Sequence, residues 1–377
     1  FKFINEIFGM EKGNQVLIKQ AKLMASNPSE RTICARLMND RFALCLPREE
    51  FDEKRVADSI KELQREFSGN SFHLHTYMGV YEIRDRDEAV SIMVDKANIA
   101  ADTIKNNYDC CVAYYDEHLL EISIEQRRLL GEFEPALQND EFVMYLQPQV
   151  KRDGAAKGAE ALVRWVHPSR GILTPYAFID ILENAGLIYK LDLYIWEKAA
   201  QKLAEWKEKG YGSYHISVNI STKDFYIIDI YETFTGLINK YGIAASNLHL
   251  EITETTLMTD FEKNMNIIHK LQGVGFRVEI DDFGSGYSSL NMLKDISADV
   301  LKIDMGFLRK SENEVKGQDI LESIITLAGK IGMDVITEGV ETKKQLDMLT
   351  MMGCHEFQGY YFSKPVPVSE FEEKYLV

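Results

Sequence analysis

Short apolar runs alternate with helix-like patterns from about residue 123 to the end of the chain. Each run ends at a polar or charged residue, and a segment with apolar positions three and four residues apart follows it. Eight such runs occupy roughly 240 residues, close to the ~250 of an eight-stranded α/β barrel. We therefore predict an α/β fold of the (β/α)8, TIM-like class. The polar residues at the run ends are Gln147, Glu160, Asn219, Glu251, Asp281, Lys302, Glu338 and Gln358.

The helices between these runs carry recognisable ends. Residues 319–331 and 341–352 each place apolar side chains on one face. Gly332 and Gly353 follow directly, at the position where a left-handed residue closes a helix. In a barrel of this class the functional site lies at the carboxyl ends of the strands. The polar run ends therefore form one candidate constellation.

The first third of the chain also alternates helices and strands. The pattern predicts helices over residues 13–24, 56–67 and 88–105, a hairpin of residues 32–36 with 42–46, and a strand pair across 72–83. Residues 114–132 carry one apolar stripe without an early Gly or Pro, which predicts a connecting helix. We place the domains at 1–118 and 133–377, with a linker helix over 119–132.

The composition of the chain limits the classes of molecule that it can bind. The 377 residues carry a net charge of −16, which argues against a protein that coats duplex nucleic acid. A small anionic ligand stays possible where a metal, Arg or Lys reverses the local field. Five cysteines without a CxxC pair favour a reduced, cytoplasmic setting. No apolar run reaches the ~18 residues of a membrane span, so this segment predicts no membrane contact.

The chain opens inside an element and without Met. We expect it to be part of a longer protein, with room for an upstream sensory domain and a membrane anchor.

One stretch concentrates negative charge. The apolar positions Val278 and Ile280 run into Asp281 and Asp282, and two nearby glycines follow. Two like charges ~4 Å apart cost about 4 kcal/mol at an effective dielectric of ~20. A bound cation relieves that cost, and so does a solvated loop with one Asp pointing away.

Residues 123–377 resemble an EAL domain, the cyclic di-GMP phosphodiesterase family. The motifs that carry the resemblance are Glu160-Ala-Leu-Val-Arg-Trp165, Val218-Asn-Ile-Ser221, Glu251-Ile-Thr-Glu254, Asp281-Asp-Phe-Gly-Ser-Gly-Tyr-Ser-Ser-Leu290, Lys302-Ile-Asp304, Glu338-Gly-Val-Glu341 and Gln358-Gly-Tyr360. The resemblance implies hydrolysis of cyclic di-GMP to pGpG, an antiparallel first strand and a homodimer formed through the barrel.

The ligand set in this interpretation is Glu160, Asn219, Glu251, Asp281 and Asp282. These hard oxygen donors suit two Mg²⁺ or Mn²⁺ ions. The resemblance makes Glu338 the general base, lets Lys302 orient water, and lets Gln358 hydrogen-bond water or Glu338. Glu254 would hold the loop of residues 282–290. The expected substrate contacts are Gln147, Leu162, Arg164, whose planar fork suits a phosphate, and Asp304.

Residues 1–118 resemble a degenerate GGDEF (diguanylate cyclase) domain that lacks its first strand. The matching residues are Gly13, Ala35-Arg36, Phe42, Leu46-Pro47, Met78-Gly-Val80 and Asp95-Lys-Ala97. The signature positions read Met38-Asn-Asp-Arg-Phe42, so two glycines are lost and Arg41 replaces a metal-binding acid. We therefore expect a structural or regulatory domain without cyclase activity. A non-catalytic cyclic di-GMP receptor is the alternative for the whole chain, and the intact ligand set counts against it.

Overall fold

The chain folds into two compact units, residues 1–128 and 129–377, in a computed structural model. The structure describes residues 2–25, 29–67, 74–105, 110–283, 296–306 and 314–376. An unbroken helix, Glu117–Gln138, crosses the boundary between the units. The pattern of residues 114–132 predicted such a helix, while the proposed domain bounds stay a prediction. None of the described helices has the length and apolar character to cross a membrane.

The first unit contains two small sheets. Strands β1 (Ile33–Arg36) and β2 (Phe42–Cys45) form the predicted antiparallel hairpin. Strands β3 (Met78–Val80) and β4 (Val112–Tyr114) pair in parallel. Before Glu117–Gln138, the described residues of this unit form the helices Lys2–Ala25, Glu53–Phe67 and Val90–Thr103.

The predicted strand pair across residues 72–83 is wrong in its described part. Residues 72 and 73 lie outside the described chain, and of residues 74–83 only β3 is a strand. Its partner is β4, more than thirty residues away, rather than a local neighbour. Gly79 makes this packing possible, since a Cβ there would lie 1.8 Å from the Ala97 carbonyl of the covering helix. Local β propensity cannot reveal such a long-range pairing.

The second unit is a closed eight-stranded barrel with two short strands attached. The barrel strands follow the order β5-β6-β8-β9-β10-β11-β12-β13, and β13 closes on β5. Strand β5 is antiparallel to both neighbours, as the family resemblance implied. The strands are β5 Phe142–Lys151, β6 Ala156–His167, β7 Gly171–Leu173, β8 His215–Ile220, β9 Leu248–Thr253, β10 Val278–Phe283, β11 Val300–Asp304, β12 Asp334–Glu338, β13 Glu356–Phe357 and β14 Val366–Pro367.

Gln147 and Glu160 do not end their strands, contrary to the sequence prediction. They lie inside β5 and β6, directly opposite each other in the antiparallel register. The two strands form a long hairpin that continues beyond these residues. A polar residue that faces the barrel interior interrupts an apolar run in the same way as a strand end does. The sequence pattern alone therefore misplaced these two strand boundaries. It also placed the ends of β9, β10 and β11 too early, because each strand continues by two residues beyond Glu251, Asp281 and Lys302.

The helices around the barrel confirm the predicted glycine caps. Gly332 and Gly353 have φ of 83° and 93°, in the left-handed region that ends a helix. Thr342 begins the helix before Gly353 with a capping box completed by Gln345. The described helices are Ile179–Ala185, Ile188–Glu208, Asp224–Ile227, Ile230–Tyr241, Glu254–Thr259, Phe261–Val274, Glu314–Lys330, Lys343–Met351 and Val368–Tyr375.

The barrel core buries all three tryptophans of the chain. Trp196, on the helix before β8, donates its Nε1–H to the Asn219 carbonyl at 3.0 Å. Trp165 donates to Glu141 Oε2 at 3.0 Å, and Trp206 donates to Glu372 Oε1 at 2.9 Å. Each ring thus buries its apolar surface while its polar edge finds a partner. The contact with Asn219 ties core packing to the polar end of β8.

We predict that Gly359→Ala destabilises the barrel more than Gly353→Ala. A Cβ at Gly359 would lie 2.3 Å from the Val340 carbonyl oxygen and 2.4 Å from its nitrogen, and backbone atoms cannot move aside cheaply. We expect a loss of about 1–3 kcal/mol from this overpacking, in addition to any backbone strain. Urea unfolding followed by tryptophan fluorescence measures it, since every tryptophan lies in the second unit.

Gly353→Ala is the matched control, because Gly353 has a positive φ but nothing within 4 Å of its missing Cβ. This variant should lose only about 1–2 kcal/mol of folding stability, the cost of placing a residue with a Cβ in the left-handed conformation. Equal losses in the two variants would show that the Val340 backbone does not limit Gly359.

Candidate functional site

The site is centred on one buried ammonium group. Lys302, on β11, has no exposed surface and lies among four carboxylates from four other strands. Its Nζ is 2.7 Å from Glu338 Oε1 and 3.0 Å from Glu251 Oε2. Glu160 Oε2 lies at 3.3 Å and Asp281 Oδ1 at 3.4 Å. Strands β6, β9, β10 and β12 thus bring distant segments of the sequence to one point.

Negative charge exceeds positive charge here. Four carboxylates against one ammonium leave a net charge of −3 when all are ionised (−4 + 1). Burial works against the Lys302 charge, but the surrounding carboxylates outweigh it and raise the Lys302 pKa well above its usual value. Burial raises the pKa of Glu338 to about 8, and burial together with the Glu160 charge raises the pKa of Glu251. The cluster therefore favours additional positive charge.

The donor set fits hard divalent cations. Glu251 Oε1 is buried and has no hydrogen-bond partner among the described residues. Such an orphaned carboxylate oxygen is costly unless a cation or donor reaches it. Asn219, near the end of β8, lies opposite Glu251 in the register with β9 and donates from Nδ2 to Glu160 Oε1 at 3.2 Å. Carboxylate and amide oxygens are the ligands that Mg²⁺ and Mn²⁺ prefer.

Two amides line the antiparallel side of the cluster. Gln358, directly after β13, donates from Nε2 to Glu160 Oε2 and also lies 3.3 Å from Gln147 Oε1. Gln147 donates in turn to the Ser363 carbonyl at 3.3 Å. Gln358 thus contacts one oxygen of Glu160 while Asn219 contacts the other, and Gln147 acts on this carboxylate only through Gln358. Asn219, Lys302 and Gln358 therefore hold this carboxylate from β8, from β11 and from the residue after β13.

A β-bulge separates the two adjacent aspartates. The pairing of β10 with β11 shifts register between Ile280 and Phe283, and Asp282 has a φ of 56°. Asp is one of the few residues that tolerates this left-handed conformation. The Asp282 N–H donates to Asp281 Oδ1 at 2.9 Å. Asp281 faces Lys302, whereas Asp282 is exposed.

Glu254 opens the helix Glu254–Thr259, after the N-cap Thr253. The loop that it was predicted to hold reaches into residues 284–290, which lie outside the described chain. The predicted role of Glu254 stays a prediction.

Arg164 stacks on an aromatic ring that the sequence analysis missed. Its guanidinium carbon lies 5.5 Å from the centroid of Tyr145 on the neighbouring strand, and Nη1 donates to the Val163 carbonyl. Burial lowers the pKa of Arg164 without removing its charge. Leu162 lies directly opposite Tyr145 in the register of β5 and β6. Only that cross-strand register, which the sequence does not fix, pairs Tyr145 with this segment.

Asp304 ends β11 and lies opposite Glu338 in the parallel register with β12. Its Oδ1 accepts a hydrogen bond from the Gly306 N–H at 2.7 Å. It is therefore placed at the same end of the barrel as the Lys302 cluster.

Direct contacts thus unite much of the predicted set, while the catalytic, metal-binding and substrate-binding roles of these residues stay predictions. The residues joined through Lys302 and Glu160 are Gln147, Asn219, Glu251, Asp281, Glu338 and Gln358.

Each of the two units matches a known protein family. The EAL domain matches residues 131–365, and the diguanylate cyclase, GGDEF domain matches residues 1–109. A bifunctional diguanylate cyclase/cyclic di-GMP phosphodiesterase, MucR of Pseudomonas aeruginosa, is 30% identical over 98% of this chain and 55% of its own length. The cyclic di-GMP phosphodiesterase PdeR of Escherichia coli is 27% identical over 100% of the chain and 57% of its own length. The chain therefore spans about half the length of these relatives.

Solved structures resemble the barrel. The phosphodiesterase of PaMucR, in complex with c-di-GMP, superposes with a TM-score of 0.62 at 33% identity, covering 65% of this chain and 99% of that one. An EAL domain protein from Listeria monocytogenes superposes with a TM-score of 0.55 at 29% identity, covering 66% and 97%. With its closed barrel, its family match over 131–365 and its amino-terminal match to the GGDEF domain, this chain belongs to the EAL domain family.

Proposed function

We propose that this chain hydrolyses cyclic di-GMP to linear pGpG with the help of divalent metal ions. The observation that carries the proposal is the convergence of four carboxylates on Lys302, with an orphaned oxygen on Glu251. The names of the relatives support the substrate, since MucR and PdeR are both described as cyclic di-GMP phosphodiesterases. The c-di-GMP complex of a barrel at 33% identity supports it further.

The proposed metal ligands are Glu160, Asn219, Glu251, Asp281 and Asp282, and two Mg²⁺ or Mn²⁺ ions suit their number and charge. Such ions lower the pKa of water and neutralise phosphate oxygens. The exposed position of Asp282 leaves its carboxylate free to turn toward the mouth of the barrel.

Lys302 supplies a fixed positive charge to the reacting phosphate. Its ammonium is held from four sides and needs no rearrangement, so it can stabilise negative charge that grows on phosphate oxygens. Glu338 is the proposed base that takes the proton of the attacking water. Burial raises the pKa of Glu338, which is the direction that makes a carboxylate a stronger base.

Arg164, with Leu162 and Tyr145 beside it, is the proposed contact for the rest of the substrate. The Arg164 guanidinium lies over the Tyr145 ring, and its planar fork suits two-point binding of a phosphate. Gln147 and Gln358 hold Glu160 in place and present amide groups to the same space. Asp304 is the remaining proposed substrate contact at this end of the barrel.

We propose that the first unit is structural or regulatory and does not form cyclic di-GMP. The hairpin keeps its turn, with Arg41 N–H bonded to the Met38 carbonyl, although both signature glycines are replaced. Asn39 takes the left-handed φ of 59° that a glycine would take. Met38 projects into solvent with 80% of its surface exposed, and Arg41 carries the wrong charge to bind a metal.

The remaining proposals concern partners. A homodimer through the barrel, an upstream sensory domain and a cytoplasmic location fit the family resemblance. Light scattering on the purified chain tests the dimer.

We predict that Glu338→Gln lowers kcat for cyclic di-GMP hydrolysis about 10²- to 10⁴-fold, because the isosteric amide cannot accept the proton of water. Chromatographic quantification of pGpG in the presence of Mg²⁺ or Mn²⁺ measures the rate. Glu370→Gln, at an exposed position, is the control and should retain the parent rate. If Glu338→Gln hydrolyses cyclic di-GMP at the rate of the parent chain, Glu338 is not the general base. A parent chain that binds cyclic di-GMP but yields no pGpG with either metal is a receptor instead.

We predict that Mn²⁺ stabilises the barrel in the parent chain and much less in Glu251→Gln. A ligand present at one hundred times its Kd stabilises the folded state by about 2.7 kcal/mol. The substitution removes the negative charge of a buried carboxylate whose Oε1 has no hydrogen-bond partner in the described chain. Thermal unfolding with and without Mn²⁺, followed by tryptophan fluorescence, reports the shift. The exposed Glu262→Gln should behave like the parent. An equal Mn²⁺ shift in parent and Glu251→Gln would place the ion elsewhere.

We predict that incubation of the chain with GTP and Mg²⁺ yields no cyclic di-GMP above a no-enzyme blank. The measurement uses Glu338→Gln, so that any product formed is not consumed by hydrolysis. Accumulation of cyclic di-GMP would contradict the assignment of the first unit as non-catalytic.

A further inference from the structure

A second polar cluster lies inside the barrel, toward the amino-terminal ends of its strands. His215 begins β8, and His249 and Glu279 are the second residues of β9 and β10. His249 and Glu279 precede Glu251 and Asp281 by two residues, so they face the same interior one layer further from the Lys302 mouth. All three side chains are buried. None of them belongs to the proposed phosphodiesterase site.

Hydrogen bonds fix which imidazole nitrogens remain available. His215 Nε2 lies 2.7 Å from Gln149 Oε1, and His249 Nε2 lies 3.2 Å from the Ser246 carbonyl. Both oxygens only accept hydrogen bonds, so each Nε2 carries its hydrogen. The Nδ1 atom of His215 is left for another partner, whereas Nδ1 of His249 faces the Glu279 carboxylate. Metal-binding histidines are held in this manner, with the second ring nitrogen donating to a carbonyl behind it.

The carboxylate of Glu279 has unused capacity. Its Oε1 lies 2.6 Å from His249 Nδ1 and accepts from Ser217 Oγ at 3.2 Å. A carboxylate oxygen and an imidazole lone pair attract only when a proton or a metal ion lies between them. Glu279 Oε2 is buried and has no hydrogen-bond partner within the described chain. The cluster thus offers the orphaned Glu279 oxygen and His215 Nδ1, and a metal ion would take the place of the proton between His249 Nδ1 and Glu279.

The three residues are close enough to share one ion and are accessible to it. One potential ligand atom from each lies within 4.8 Å of the others. A pocket of about 460 Å³ opens at this end of the barrel and is lined by all three. The two cations in its wall, Lys157 and Arg277, are paired with Glu356 and Asp334.

The two imidazole rings stack in parallel, with centroids 3.8 Å apart and 5° between their planes. Parallel rings direct their lone pairs in parallel, so a shared ion requires one ring to rotate about its Cβ–Cγ bond.

We propose that His215, His249 and Glu279 bind one divalent transition-metal ion of the zinc class. Two imidazoles and a carboxylate are a common protein ligand set for Zn²⁺ and Co²⁺, and a poor one for Mg²⁺. The ion would join β8, β9 and β10 at the end of the barrel opposite Lys302. This site is independent of the proposed phosphodiesterase activity, because its donors differ from the all-oxygen set at the mouth.

Equilibrium dialysis of the full chain against Zn²⁺, with excess Mg²⁺ to occupy all-oxygen sites, tests the proposal. We expect one Zn²⁺ per chain in the parent and in the exposed control His269→Gln. His249→Gln should weaken Zn²⁺ binding by more than the about 10- to 100-fold that results when a ligand loses only its hydrogen-bonding partner. No bound Zn²⁺ in the parent, or equal binding in parent and His249→Gln, overturns the site.

A second measurement needs no variant and so does not depend on the folding of His249→Gln. Co²⁺ added to the parent chain with excess Mg²⁺ should give the visible absorption of a four- or five-coordinate ion with imidazole ligands, and Zn²⁺ should abolish it by displacement. The weak absorption of octahedral, all-oxygen Co²⁺ alone overturns the proposal, whether or not the chain hydrolyses cyclic di-GMP.

Discussion

The barrel is organised around the burial of one ammonium among several carboxylates. Lys302 has no exposed surface, and its charge persists only because four acids lie within 3.4 Å of it. Unpaired, a buried charge costs several kcal/mol. The four carboxylates also need positive charge nearby, because only one ammonium group lies among them. Each strand must therefore hold its cluster residue at the correct height in the barrel, which links barrel closure to the chemistry at its mouth.

A polar interior of this kind sets the barrel apart from one filled only with branched apolar side chains. Beneath the Lys302 cluster lies the layer of His249 and Glu279, and β8 adds the Ser217 hydroxyl to it. Buried polar groups make a core rigid and specific when each of them has a hydrogen-bond partner. The orphaned oxygens of Glu251 and Glu279 are two of the points where this network is incomplete in the described part of the chain. They lie on adjacent strands and in successive layers, and both are most simply completed by cations.

The antiparallel strand β5 changes what the barrel can present. An all-parallel barrel supplies its site from strand ends and the loops that follow them. Here β5 and β6 form a long hairpin that places Gln147 opposite Glu160 and Tyr145 opposite Leu162 in mid-strand. The hairpin supplies amide, carboxylate, aromatic and guanidinium groups from one rigid element. Rigid strands position such groups more accurately than loops do.

The sequence by itself determined the class of the barrel, its helix caps and most of the polar residues at its mouth. Strand runs, Gly332 and Gly353 are local features, and local pattern is enough to identify them. The tertiary structure alone decided the interior positions of Gln147 and Glu160, the bulge at Asp281 and Asp282, and the pairing of β3 with β4. It also decided that His215, His249 and Glu279 meet. These features depend on register between strands distant in sequence, and register follows from closure of the whole sheet rather than from the residues of any one strand.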